Sequence, residues 1–289
     1  MTEDAFSLHR GLLFTVAYEM LGSASDAEDV VQETWLRWAG VDSAEVNDPR
    51  AYLVRIVTRQ ALNRMRSLAR RREDYIGEWL PEPLLTGPDV AADVELAESV
   101  SIAMLTVLET LGPEERAVFV LREVFETPYD EIAQAVGKSP AAVRQIAHRA
   151  REHVAARRPR MPVSTAEQQQ VVDRFLAAVR HGDLQGLLDV LAPDVVVVAD
   201  GGGLVGAARR PIVGSQKVAS FLVRGAAAAG FEVIAEWING GPGCRIYIGG
   251  ELASAVSIAV EDGRITRLFA IVNPDKLTGL DAVAPLSRS

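Results

Sequence analysis

The sequence predicts a multi-domain chain, with two all-α helical blocks followed by an α+β domain. Three observations predict it. Apolar residues keep helical spacing from Phe6 to about Ala69 and again from about Val94 to Ala156. Between these blocks, Trp79-Leu80-Pro81-Glu82-Pro83-Leu84 and Gly87-Pro88 break any helix. After Arg157-Arg158-Pro159-Arg160-Met161-Pro162 the chain changes to short β-branched runs punctuated by Gly and Asp-Gly. A length of 289 residues suits two or three compact units, and 48% hydrophobic residues supply their cores. The one cysteine, Cys244, excludes an internal disulfide or a multi-cysteine metal site. The acidic start and the lack of a long apolar run lead us to expect an unexported cytoplasmic protein without a membrane partner.

The first informative element runs from Asp26 to Trp38. Val30, Val31, Thr34, Trp35 and Trp38 share one face; Asp26, Asp29, Glu33 and Arg37 share the other. Ser25 is the expected N-cap, with acids in the first turn favoured by the helix dipole.

The next helix carries the charge signal. The net charge of −9 divides into −7 for residues 1–160 (19 basic, 26 acidic) and −2 for the remainder (11 basic, 13 acidic), so neither part is basic overall. Residues 50–72 nevertheless hold eight arginines and no acid, and residues 73–98 hold eight acids and no base. On a helix, Arg55, Arg59, Asn63, Arg66 and Arg70 form one stripe opposite Leu53, Val57, Ala61, Met65 and Leu68. Such a helix packs one face and presents the other to phosphates. A merely solvated arginine face is the plainer alternative.

In the second block, Glu115–Arg122 and Tyr129–Val136 read as helices, and Gly137-Lys138-Ser139-Pro140 as a turn into a third helix, Ala141 to Val154. Gly at a helix end, Ser at the N-cap and Pro at the first helical position are the expected punctuation. The third helix exposes Arg144, Gln145, His148, Arg149 and Arg151, and packs with Val143, Ile146, Ala147 and Ala150. This is a helix-turn-helix pattern, whose second helix enters a major groove; a plain three-helix bundle is the alternative.

The tail opens with Ser164-Thr165-Ala166-Glu167, a capping box before a helix carrying Val171, Val172, Phe175, Leu176 and Val179. A helical run through Leu184, Leu187, Leu188 and Leu191 follows, then a strand from Val195 to Ala199 ending at Asp200-Gly201-Gly202-Gly203. A helix at 214–224 leads to strands at 231–238, 245–248 and 253–260, with Asp262-Gly263 turning into 265–272.

The order DAEDVVQETWLRW, RAYLVRIVTRQALNRMR, a Pro-rich linker and LGPEERAVFVLREVFETPYDEIAQAVGKSPAAVRQIAHRARE resembles the bacterial extracytoplasmic-function sigma factors across residues 6–156. WLPEPL in the linker, the DGGG turn and Asn273-Pro274-Asp275-Lys276-Leu277 resemble the subgroup with a fused SnoaL-like domain. The resemblance implies two all-α helical domains, sigma region 2 (1–72) and the helix-turn-helix sigma region 4 (99–160), joined by an acidic linker (73–98), plus a C-terminal α+β SnoaL-like cone (161–289).

What the resemblance implies for sites follows residue by residue. Asp26, Asp29, Gln32 and Glu33 would bind RNA polymerase core, and Arg55, Arg59, Asn63 and Arg66 the minus-ten element of promoter DNA. Lys138, Ser139, Arg144, Gln145, His148 and Arg149 would bind the minus-thirty-five element. Trp79, Leu80, Pro81, Glu82 and Pro83 would meet Asp200, Gly201, Gly202 and Gly203 and the segment Asn273 to Leu277, holding the sigma domains compact in place of an anti-sigma partner. The family usually has Lys where this chain has Leu204; Lys276 is available to pair with Glu82 or Asp200 instead, at a surface-pair value of about 0–1 kcal/mol if exposed.

The residues carry no nucleotide-binding glycine loop, serine elbow or paired-histidine metal spacing, so no catalytic residue, metal or cofactor is expected. His181 reads as a surface histidine and Asp200 as a turn residue rather than an acid–base pair. The second hypothesis is a helix-turn-helix regulator whose cone binds or processes a small apolar ligand in a cavity lined by strand Val, Ile and Ala. A monomer is expected for the free chain.

Overall fold

The computed structural model describes residues 2–42, 46–73, 75–157, 164–203 and 207–288, without the side chains of 2–4, 69–73 and 165. Leu204 and the break at 158–162 lie outside the described residues, as do the side chains of Arg70, Arg71 and Arg72. Helices α1 (Thr2–Leu21), α2 (Ala24–Ala39) and α3 (Pro49–Glu73) form the first block. Leu12, Leu13, Val16 and Met20 of α1 pack against Val30, Val31 and Trp38 of α2 and Leu53, Val57 and Ala61 of α3. The α2 N-cap is Ser23, whose hydroxyl accepts from the Asp26 amide at 3.1 Å, rather than the expected Ser25, which lies within the first turn. Gly22 ends α1 in the left-handed region, φ 67°, where a side chain would lie 2.8 Å from the Trp79 ring.

The linker runs extended to Gly87, then forms α4 (Pro88–Ala92) and α5 (Val94–Val100). The next helices are α6 (Ile102–Leu108) and α7 (Pro113–Phe119), which runs into a π turn (Val120–Val124); α8 (Tyr129–Val136) and α9 (Pro140–Ala155) complete the block. Gly137 closes α8 with φ 71°, Ser139 caps α9 and Pro140 occupies its first turn. Leu105, Leu108, Val118, Leu121, Ile132 and Val143 join the apolar cluster of the first block, so the two helical blocks share a core.

The third part holds α10 (Thr165–His181), α11 (Leu184–Val190), β1 (Leu191–Asp200), β2 (Ile212–Val213), α12 (Ser215–Ala226), β3 (Phe231–Ile238), β4 (Gly241–Ile248), β5 (Glu251–Glu261) and β6 (Arg264–Ile271). The helical run expected through Leu191 stops at Val190, because Leu191 already pairs with Ile265 of β6. The sheet order is β2-β1-β6-β5-β4-β3, with β1 and β6 parallel and the other pairs antiparallel. The whole of β2 to β5 separates β1 from β6, which is ample chain for a parallel crossover.

The sheet buries both faces. Val256, Ile258, Val260 and Leu268 pack against Phe175, Leu176, Leu187 and Val218 of the helices. Ala255, Phe269 and Ile271 point the other way, onto Leu80 of the linker, Ile102 of α6, and Leu277 and Leu280 of the tail. Of the apolar strand residues expected to line a cavity, Val256, Ile258 and Val260 are buried in one cluster with these helices.

Candidate nucleic-acid interface and the junction beside it

The outer face of α9 is open. Arg144, Gln145, His148 and Arg149 are exposed, while Val143, Ile146, Ala147 and Ala150 are buried. Arg144 lies over the Tyr129 ring at 5.5 Å and His148 is 3.9 Å from Glu152. Lys138 pairs with Glu114 at 2.9 Å, and the Ser139 hydroxyl accepts from the Ala142 amide at 3.3 Å. These last two are thus engaged within the fold, leaving the other four side chains on the exposed face of α9.

The arginine stripe of α3 is divided. Asn63 and Arg66 are exposed, Arg66 lying 3.5 Å from Glu114. Arg59, by contrast, donates to the Gln134 carbonyl at 2.7 Å and the Ala135 carbonyl at 3.3 Å, and Arg55 donates to Gln134 Oε1 at 3.3 Å. The last turn of α8 supplies unpaired carbonyls and the negative end of its dipole, so a guanidinium docks there for the same reason it would dock on phosphate. On α2, Asp26 and Asp29 both pair with Arg64, Glu33 accepts from Gln60 at 2.6 Å, and Gln32 is exposed.

A polar junction ties the linker to the C-terminal domain. Asp200 is wholly buried. Its carboxylate accepts from the Tyr75 hydroxyl, the Leu80 amide at 2.8 Å, the Gly202 amide at 3.1 Å and Lys276 Nζ at 2.7 Å. Lys276 also donates to the Leu80 carbonyl at 2.6 Å and lies over the Trp79 ring at 4.2 Å. Asn273 donates to the Tyr75 hydroxyl at 3.0 Å and caps the short turn Pro274–Lys276 by accepting from the Asp275 amide. Gly202 must be glycine here: its φ is 59° and a Cβ would lie 2.5 Å from Asn273 Nδ2. Leu80, Pro81, Pro83, Gly201 and Leu277 are buried around this site, whereas Gly203 and Pro274 are exposed. The three segments thus meet, and of the two acids open to Lys276 it takes Asp200, as a buried pair rather than a surface one.

Glu82 is used elsewhere. Its carboxylate accepts from the Ser23 hydroxyl at 2.8 Å and the Ala24 and Ser25 amides at 2.7 and 3.0 Å, capping α2 from the linker. Sequence reasoning missed Asn239, at the β3–β4 turn. Its side chain donates to the Tyr18 hydroxyl at 2.7 Å and the Val100 carbonyl at 2.8 Å, and accepts from the Leu84 amide at 2.8 Å. Tyr18 in turn donates to the Glu82 carbonyl at 2.6 Å. The Asn-Gly dipeptide signals the hairpin but not this clamp. The tail was missed too: the Ser287 amide donates to Thr15 at 3.0 Å, and Arg288 pairs with Asp93 and Glu95.

A buried carboxyl sits where these parts converge. Glu19 of α1 is pushed up to about 8, chiefly by burial; the Ser99 hydroxyl, donating at 2.7 Å, and the charges of Arg116 and Arg288 oppose the shift. Arg116, itself buried, donates to the Glu19 carbonyl at 2.8 Å and pairs with Glu109. The packed fold retains a proton that an opened chain releases above its ordinary value of 4.5. Stability is therefore greatest below that value and falls as pH rises toward 8, by up to about 1.4 kcal/mol per pH unit. Calorimetric melting from pH 5.5 to 8 should show this fall, and Glu19→Gln should flatten it; an unchanged slope in the variant would remove Glu19 as its source.

Comparison with known proteins matches residues 5–71 to the Sigma-70 region 2 family and residues 101–154 to Sigma-70, region 4. The chain is 40% identical over 296 residues to the ECF RNA polymerase sigma factor SigJ of Mycobacterium tuberculosis, covering 96% of this chain and 94% of that one. It is 33% identical over 282 residues to the probable ECF RNA polymerase sigma factor SigI of the same species, covering 96% and 95%. The crystal structure of M. tuberculosis SigJ matches with a TM-score of 0.77 and 35% identity, over 97% of this chain and 99% of that one.

Proposed function

The chain belongs to the extracytoplasmic-function sigma factors, which bind RNA polymerase core and direct promoter-specific initiation, and we propose that its own C-terminal domain holds the free protein closed. One observation carries this reading: Arg55 and Arg59, two of the four minus-ten residues, are occupied by the last turn of α8. The minus-thirty-five residues Arg144, Gln145, His148 and Arg149 remain open. A chain in this state reads one promoter element and withholds the other.

The Asp200–Lys276 site, the Asn239 clamp and the tail on α1 favour the closed arrangement by tying linker, cone and region 2 together. Binding to polymerase, in which Asp26, Asp29, Gln32 and Glu33 take part, supplies the free energy to separate α3 from α8. Arg64 must then exchange its partners Asp26 and Asp29 for water or polymerase. The cone acts as a regulatory part without catalysis: Asp200, the acid nearest to a base in its chemistry, is spent on Lys276. Among the described residues no helix is long and apolar enough to cross a membrane. We place the protein in the cytoplasm, as a monomer when free.

Run-off transcription with bacterial core polymerase tests the functional reading. The full chain should initiate only with core present. Arg144→Ala should lower initiation about 5- to 100-fold, the loss of one good base or phosphate contact. Equal initiation by the variant would remove α9 from promoter reading.

A further inference from the structure

Tyr129 opens α8 and meets the side chains of two arginines. Arg122 lies over its ring at 4.7 Å and Arg144, from α9, at 5.5 Å. The ring is a firm platform. It is half-buried and packs against the apolar core that the two helical blocks share. The chain reaches it through a defined turn, in which Glu126 takes the left-handed region, φ 51°, and Pro128 leads into α8. Arg122 spans that turn by donating to the Thr127 carbonyl at 3.2 Å, so its cation is fixed where it meets the ring.

Arg144 lies in the first turns of α9, the end of a groove-reading helix from which side chains reach base edges. Other bases on α9 stand beside carboxylates: His148 is 3.9 Å from Glu152, and Arg151 is 3.5 Å from Glu123. Among the described residues Arg144 instead meets an aromatic face. The difference matters chemically. A carboxylate takes the in-plane N–H donors of a guanidinium, the same donors that O6 and N7 of a guanine accept in a major groove. An aromatic ring takes the cation and leaves those donors for another partner.

Holding the side chain has a second effect. A long exposed arginine samples many rotamers, and fixing one of them on binding weakens affinity by about 2- to 10-fold. A cation over a ring recovers a cost of that size before DNA arrives.

We infer that Tyr129 is a positioning residue, whose ring holds Arg144 ready to read a guanine of the minus-thirty-five element without itself touching DNA. This role rests on the reading of α9 proposed above. It makes the first residue of α8 a determinant of promoter choice that acts through a side chain of the next helix.

The test uses the full chain with core polymerase on a promoter that supports run-off initiation, with each G·C pair of the minus-thirty-five element changed in turn to A·T. The parent should lose initiation at a pair to which Arg144→Ala is indifferent. Tyr129→Leu keeps an apolar side chain against the core but offers no aromatic face. It should lower initiation about 2- to 10-fold and shrink discrimination at that same pair. Tyr129→Phe, which keeps the ring, should behave as the parent. In an Arg144→Ala background Tyr129→Leu should have no further effect, since nothing remains to be positioned. Melting curves check that the variant folds, with Tyr129→Met in its place should it not.

Tyr129→Leu with the parent's initiation and discrimination overturns the positioning role. So does an equal loss in both backgrounds, which makes Tyr129 structural, or a loss in Tyr129→Phe matching that in Tyr129→Leu, which assigns the effect to the hydroxyl. A defective Arg144→Ala that discriminates every pair as the parent does overturns the guanine, leaving a phosphate contact. In all of these Arg144→Ala is still defective and the reading of α9 stands. Full initiation by Arg144→Ala removes that reading, and the positioning role with it.

Discussion

Lys276→Ala is expected to destabilise the closed protein by about 3 kcal/mol. The substitution leaves Asp200 wholly buried without its cation. Removing one partner of a buried pair costs about 3–5 kcal/mol. The low end applies because the carboxylate keeps three donors, from Tyr75, Leu80 and Gly202. The loss should appear in thermal melting and in faster amide exchange at Leu80 and Gly202. Lys276→Met with Asp200→Asn should recover part of it, since the double variant buries no net charge. A single variant as stable as the parent would show that the pair contributes nothing to holding the junction.

Ending the chain before Asn273 should have the larger effect on activity. It removes Lys276, strips Leu277 and Leu280 from the cluster with Leu80, Phe269 and Ile271, and takes Ser287 and Arg288 off α1 and α5. Each leucine contributes about 1.5–3 kcal/mol of burial. The expected protein still folds, through the helical core and the cone core, but opens more readily and shows altered promoter-directed transcription with unchanged polymerase binding. Unchanged transcription by the truncated chain would separate the tail from regulation.

How much of this was legible from residues alone depends on range. Helices α2, α3 and α9 were readable because each is amphipathic over several turns, and Gly137, Ser139 and Pro140 punctuate the turn locally. The choice between Ser23 and Ser25 as N-cap was not readable. Two serines offer the same cap chemistry, and the Glu82 carboxylate that bonds both comes from another segment. The strand series of the tail reads as a curved antiparallel sheet, and the parallel pairing of β1 with β6 corrects this, since strand patterns carry no direction.

The candidate site was half legible. The arginine stripe of α3 led to the expectation of a surface for anions, but nothing in the sequence signals that α8 would engage Arg55 through the Gln134 side chain and Arg59 through backbone carbonyls, because such partners leave no mark in a sequence. The meeting of linker, DGGG turn and tail was implied by family resemblance, with the partner of Lys276 left open. The structure pairs it with Asp200, because Glu82 is already committed to the amides of α2. Asn239 could be read as a turn residue only; its partners Tyr18, Leu84 and Val100 lie 139 to 221 positions away or in between.

The central claim is that α8 covers the promoter face of α3 in the free protein and leaves it on polymerase. The direct measurement is the distance between spin labels at Ser67→Cys on α3 and Asp130→Cys on α8, both exposed positions, with the native Cys244 buried. The account predicts one short, narrow distance distribution for the free chain and a longer one after core polymerase is added. The same distribution in both states, in a preparation that initiates transcription, would contradict it.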